Sequence, residues 1–247
     1  MTTATPTPVN RQDQLFDEVR HGFFHTAIGD IYRSIKGGCF VGTFTLTCCA
    51  IAALSELEWA VENQDKLYGN VRDSDRVKFT GWLQRWVKDT KINPSCDPEF
   101  VYAVRCSLAH SYGTSDRLRN QNIGPFTLTR GEQATHYQRD LRPSGKTRVF
   151  LNMEDFVAES TLAAVSFVES LPEKWKQRCD ESMERYVKDM LLPVVQDEDR
   201  GPSRLVGMFA FGEIHPALAA PLNSLTASSD KQQIVDAINV ILTESRS

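Results

Sequence analysis

The sequence predicts a mainly α-helical protein that carries a small β-hairpin or three-stranded meander as an insertion. Three observations point there. Apolar residues recur at steps of three and four before Gly113 and again after Asn152, the period of amphipathic helices. Start signals precede these runs, most clearly Asp97-Pro98-Glu99, where Asp97 can cap, Pro98 needs no amide proton and Glu99 suits the positive helix end. Residues 115–151 depart from the pattern, with short β-branched and aromatic runs cut by Gly131 and Pro143-Ser144-Gly145.

A chain of 247 residues can bury a sizeable core without disulfides or metals. Its 28 Lys and Arg against 32 Asp and Glu leave a net charge of −4, so any polyanion site must be a local patch. The six cysteines (Cys39, Cys48, Cys49, Cys96, Cys106 and Cys179) form no CxxC pair and are too sparse for a disulfide framework. They are expected as reduced, mostly buried thiols. Residues 1–10 are rich in Thr and Pro, with neither the basic start nor the apolar run of a secretory signal. A disordered tail over 1–12 and a cytoplasmic location follow as expectations.

Phe16, Val19, Phe23, Ala27, Ile31 and Ile35 mark a first helix, broken by Gly37-Gly38. Residues 37–54 are uncharged over 18 positions, the lower limit for a membrane span. Their Gly, Thr, Cys and Ala content, with no companion segment, favours a buried central helix ending near Asn63 and no membrane partner. A third helix, capped by Asp73 or Ser74, presents Phe79, Trp82, Leu83, Trp86 and Val87 on one face. The fourth starts at Asp97, stops at Gly113 and buries Phe100, Val101, Val104 and Leu108, which sets Arg105, Cys106 and His110 on or beside the boundary. Strands are expected over 125–129, 135–139 and 147–151, placing the insertion near 124–151 of a helical domain spanning 13–194. Asn152 caps a fifth helix through Phe156, Ala163, Phe167 and Leu171, and Pro172 opens a sixth through Trp175, Cys179, Met183 and Met190. Residues 195–205 have the composition of a linker, and 206–247 hold an apolar segment and a last helix over 232–242.

The fourth helix contains Arg105, then four residues, then His110. This run resembles the signature of the HEPN superfamily, in which one helix of an antiparallel bundle carries Arg and His at such a spacing, and the likeness extends more weakly over 15–194. The resemblance implies a metal-independent endoribonuclease of the toxin or defence kind, without cofactor, acting as a homodimer on RNA, with an antitoxin or other protein as a further partner. It implies Arg105 and His110 as the catalytic pair. Their chemistry suits the task, because imidazole exchanges protons near neutral pH and a guanidinium holds a phosphate and offsets charge building on it. The usual polar residue after the Arg is replaced by Cys106, so the alternative is a HEPN bundle that binds a nucleotide, RNA or protein without turnover.

The insertion supplies the second clue. Residues 115–148 hold seven Lys or Arg (Arg117, Arg119, Arg130, Arg139, Arg142, Lys146, Arg148) against three acids, reversing the sign of the whole chain. Cys106, Tyr112, Arg117, Arg119, Arg130 and Arg139 are the candidate substrate contacts, and His136 and Tyr137 are interleaved where they can stack bases. A solvated hairpin is the bland equivalent. His21 and His25 have a metal-ligand spacing, yet no third ligand accompanies them, and no metal site is expected.

Overall fold

Described at residues 27–63, 67, 73–111, 123–131, 136–141, 143, 145, 147–178, 185, 226 and 229–244, the computed structural model of the chain is mostly helical with one small sheet. Helix α1 (Gly29–Lys36) buries Ile31, Tyr32 and Ile35. It ends at Gly37 and Gly38; the latter, at φ +69°, donates its N–H to the Ile35 carbonyl at 2.9 Å in a left-handed conformation that suits glycine. The expected start of this helix over 15–26, with His21 and His25, lies outside the described residues.

Helix α2 (Phe40–Glu62) is the long apolar helix. Thr43, Thr45 and Thr47 each turn the hydroxyl back onto the carbonyl four residues earlier, at 2.8 to 2.9 Å, so these polar residues sit in an apolar stretch with their hydrogens satisfied. The helix touches α1 and three later helices. Among the described residues it alone is long and apolar enough to cross a membrane, and half of its most apolar window is buried inside the fold. Its remaining face, with Leu46 and Cys49, is open.

Helix α3 (Asp75–Leu83) is capped by Ser74, whose Oγ accepts from the Val77 N–H; Asp73, the other expected cap, accepts instead from Trp59 Nε1 at 3.0 Å. It runs on as a π-helical stretch, Gln84–Asp89. Helix α4 (Pro98–Ser111) begins as expected, with Asp97 Oδ1 accepting from the Phe100 N–H at 3.1 Å, and Phe100, Val101, Val104 and Leu108 are buried. The expected stop at Gly113 lies outside the described residues.

The sheet contains β1 (Ile123–Thr129), β2 (Arg139–Leu141) and β3 (Thr147–Asn152) in the order β1-β3-β2. β2 and β3 pair antiparallel, so the hairpin exists, but β1 lies parallel to β3, which rules out a meander. Burial explains the order. β3 carries Val149 and Leu151 into the core and takes the middle position, whereas β2 is exposed throughout and fits only an edge. The strand expected over 135–139 is displaced because His136 and Tyr137 form a turn, Tyr137 at φ +57°.

Helix α5 (Met153–Arg178) follows β3 directly and passes through Pro172, where the sequence predicts the start of a new helix. The lost hydrogen bond and steric clash cost about 3 kcal/mol. Phe167, Val168 and Leu171, all buried just before the proline, each contribute roughly 1.5–3 kcal/mol, enough to carry the helix through it. Phe167 takes the edges of Trp82 and Trp86 at 6.3 and 5.4 Å, and Phe156 stacks on Phe44 of α2 at 5.1 Å. Between Phe156 and Val165 every residue of α5 is buried, so α5 rather than α2 is the most enclosed helix. Helix α6 (Lys231–Glu244) closes the bundle by laying Ile234, Ile238 and Ile241 on α5 and α1. The expected linker over 195–205 and the apolar segment after it lie outside the described residues.

The cysteines divide by environment. Cys48, Cys96 and Cys106 are buried, Cys39 and Cys49 exposed, and none of the five is in a disulfide among the described residues, while Cys179 lies outside them. Burial pushes the Cys48 and Cys96 thiols up to about 12. Against an ordinary thiol near 9, this lowers the thiolate fraction at mildly alkaline pH by roughly a thousandfold. Native alkylation followed by peptide mass spectrometry is expected to label Cys39 and Cys49 first and to leave Cys48 and Cys96 unmodified until the chain unfolds.

Candidate functional site

Helix α4 places both Arg105 and His110 on one helix, five residues apart. At about 100° per residue their Cα directions differ by about 140°, so they flank one edge of the helix and do not share a line. The Arg105 side chain is half-buried and lies on an aromatic shelf: its guanidinium carbon is 5.4 Å from the Phe79 ring centre and 5.6 Å from that of Tyr102. Among the described residues no carboxylate pairs with it. The rings stabilise the cation through their faces without neutralising it, which leaves its charge for an incoming anion. The His110 side chain and the whole of Tyr112, Arg117 and Arg119 lie outside the described residues.

Cys106 is buried at 8 % exposure, so the residue after the arginine faces the bundle. Arg130 lies over the Phe40 ring, 4.4 Å from its centre, at the start of α2. Arg139 on β2 reaches back to the α4 cap, with Nη2 2.8 Å from Asp97 Oδ2. This exposed pair contributes at most about 1 kcal/mol. The sheet cations thus spread from the start of α2 to the start of α4.

The sequence offers His136 and Tyr137 as base-stacking groups, but their polar atoms are engaged inside the fold. The two rings pack on each other at 4.2 Å, and the His136 side chain is 8 % exposed. Both aim at Glu159 of α5, itself 1 % exposed. Glu159 Oε1 lies 3.2 Å from His136 Nε2 and 3.4 Å from the Tyr137 hydroxyl, while Oε2 accepts from Asn93 Nδ2 at 2.6 Å. The Tyr137 hydroxyl is also 3.6 Å from Cys96 Sγ. The other imidazole nitrogen, Nδ1, accepts the Asn152 N–H at 3.0 Å, so it carries no hydrogen and the proton sits on Nε2, directed at the carboxylate. Burial first, and the Glu159 charge second, raise the Cys96 thiol and hold the Tyr137 phenol well above its usual range. These groups act as neutral partners. Sequence reasoning missed the cluster because its members are separated by up to 66 positions; the one local hint was a lone Glu within an apolar helix face.

A second buried carboxyl marks the junction of sheet and bundle. Glu154, 2 % exposed, accepts the Gly131 N–H at 3.0 Å through Oε1, and its Oε2 has no partner among the described residues. Asn152 Nδ2 donates to the Gly131 carbonyl alongside, at 3.0 Å. No group of His, Cys, Asp and Glu able to hold a metal ion occurs among the described residues. No protein-family model, curated protein or solved structure matches the chain.

Burial raises the Glu154 carboxyl, with the neighbouring backbone hydrogen bonds working the other way. A raised folded pKa means that the folded chain binds this proton more tightly than the unfolded one. The stability it lends is complete below the ordinary carboxylate range and is lost as pH rises through the folded value. Glu154→Gln keeps an oxygen for Gly131 and removes the charge. It is expected to melt at a higher temperature than the wild type at neutral pH, with the two melting alike in acid; a lower neutral Tm for the variant would contradict the buried-carboxyl account.

Proposed function

We propose that the chain is a HEPN-type ribonuclease that cleaves RNA without a metal. The observation that carries this is the Arg105 guanidinium, half-buried, braced on Phe79 and Tyr102 and free of a carboxylate among the described residues, on the helix that also bears His110. The mostly helical fold with a basic insertion supports the same reading. In this scheme Arg105 binds the scissile phosphate. The 2′-hydroxyl loses its proton to a base, its oxygen attacks phosphorus, and the 5′-oxygen leaves with a proton, giving a 2′,3′-cyclic phosphate and a 5′-hydroxyl. His110 serves as one of the two proton carriers. A homodimer supplies the other from the second copy's helix, which also brings two arginines to one groove. Arg130 and Arg139, with Tyr112, Arg117 and Arg119, would track the RNA backbone.

The second reading is a HEPN bundle that binds RNA, a nucleotide or a protein such as an antitoxin without turnover. Cys106 favours it: buried at 8 % exposure, it gives the surface no polar group beside Arg105.

Arg105→Ala and His110→Ala are each expected to slow cleavage of single-stranded RNA in chelator about a hundredfold or more, the scale of one acid–base group or one anion-stabilising donor. Unchanged rates in both variants would end the ribonuclease proposal. Salt-sensitive RNA binding with no cleavage by the wild type would establish the second reading in its place.

A further inference from the structure

Glu159 receives donors from two segments that share no secondary structure with each other. Asn93 belongs to the turn that leads into α4, and His136 and Tyr137 to the turn that leads into β2. Each donor is fixed from behind. Asn93 accepts the Ser95 N–H on Oδ1 at 3.0 Å, accepts the Cys96 N–H on its carbonyl at 3.1 Å and gives its own N–H to Val87. His136 is held by the Asn152 N–H at the junction of β3 and α5. Tyr137 sits at φ +57°, a conformation uncommon for an aromatic residue, while its N–H bonds the Phe150 carbonyl at 2.9 Å. The Arg139 to Asp97 pair then joins the same two segments at the surface.

A buried carboxylate is costly beside an apolar residue of the same size, and its removal strands the donors around it. What the arrangement yields is placement: His136 and Tyr137 enter the bundle as a peg, and only one seating of the sheet satisfies all three donors. We propose that Glu159 is a positioning residue, the joint that docks the basic sheet onto the start of α4 and so fixes Arg130 and Arg139 relative to Arg105. The consequence for RNA rests on the function proposed above; the joint itself does not. On that basis Glu159 governs affinity for RNA long enough to touch both sheet and α4, and leaves binding of a dinucleotide at α4 alone unchanged.

The test is amide hydrogen exchange on the full chain, comparing wild type, Glu159→Gln and the pair Asn93→Asp with Glu159→Gln. Glu159→Gln sets an N–H₂ against the donors. It is expected to speed exchange about tenfold or more in β2, β3 and the first turn of α4, with α1 and α6 unchanged, since a local opening exposes only its own segment. In the double variant the carboxylate introduced by Asn93→Asp accepts from the new amide with one oxygen while the other still serves Ser95, and exchange returns toward wild type. Acceleration spread evenly over every helix, none at all, or no recovery in the double variant would each overturn the joint. If Glu159→Gln does not fold, Tyr137→Phe removes a single donor and is expected to give the same local pattern at a few-fold amplitude; an unaltered or uniform pattern there overturns the proposal equally. In the same proteins Kd for a long single-stranded RNA is expected to rise about tenfold in Glu159→Gln and recover in the double variant, with dinucleotide binding constant. Wild-type protein that binds no RNA removes the ribonuclease reading and leaves the exchange experiment to decide the joint.

Discussion

The sheet becomes the bundle at Asn152, with no residue between the end of β3 and the start of α5, and the rest of the architecture hangs on that junction. Asn152 is bonded three ways there. Its Oδ1 accepts the Asp155 N–H at 3.1 Å and caps α5, its Nδ2 holds the Gly131 carbonyl, and its backbone N–H holds His136. With no linker between them, strand and helix meet at the backbone angles of a single joint. The angle at which α5 enters the bundle and the angle at which the sheet stands on it are therefore one variable. Phe156, one turn into α5, then stacks on Phe44 and sets α2 against the same axis.

Three buried carboxyls among the described residues lie near this axis, and their partners separate their roles. Glu58 on α2 takes both arms of the Arg85 guanidinium and the Trp86 indole N–H, a bidentate pairing that ties the π-helical stretch to α2. Glu159 takes two donors from the insertion, His136 and Tyr137, and a third, Asn93, from the turn before α4. Glu154 accepts the Gly131 N–H on Oε1 while its Oε2 has no partner among the described residues, and burial raises its carboxyl. Well-matched carboxylates join elements that apolar packing alone leaves free to slide, because hydrophobic contact has no direction and a hydrogen bond does. Lys78 with Glu56, over the Trp59 ring, repeats the device between α3 and α2.

What the sequence made legible was whatever is settled within a few residues. Ser74, Asp97 and Asn152 cap the helices that the sequence assigns to them because a cap is a bond between a side chain and an amide two or three positions on. The apolar stripe of α4 followed from spacing for the same reason. Pro172 misled because the local penalty is real but smaller than the packing of Phe167, Val168 and Leu171, and partners such as Trp82 and Trp86 under Phe167 come from distant parts of the chain. Strand order misled because parallel pairing of β1 with β3 is a choice among distant partners. At the candidate site the motif on α4 was visible, whereas the Phe79 ring under Arg105 comes from another helix and the peg on Glu159 from another turn. His136 and Tyr137 looked like surface residues since basic neighbours surround them; their burial is decided by a carboxylate more than twenty positions away.

The aromatic shelf also bears on which of the two functional readings the helix can sustain. An arginine kept for structure is ordinarily matched to a carboxylate, as Arg85 is to Glu58 and Arg139 to Asp97. Arg105 instead rests on Phe79, 1 % exposed, and Tyr102, which restrict its motion while leaving the guanidinium edge unpaired among the described residues. Such a cation is already partly desolvated, so an arriving phosphate displaces less water from it and finds a fixed fork, the condition under which electrostatic stabilisation of a transition state is large. Binding without turnover needs the same cation and nothing more. Cleavage additionally needs two proton carriers, and the Arg105–His110 motif supplies one of them, His110, so on the ribonuclease reading a second copy of the helix can supply the other. On that reading, and on that reading alone, oligomeric state bears on catalysis at this helix.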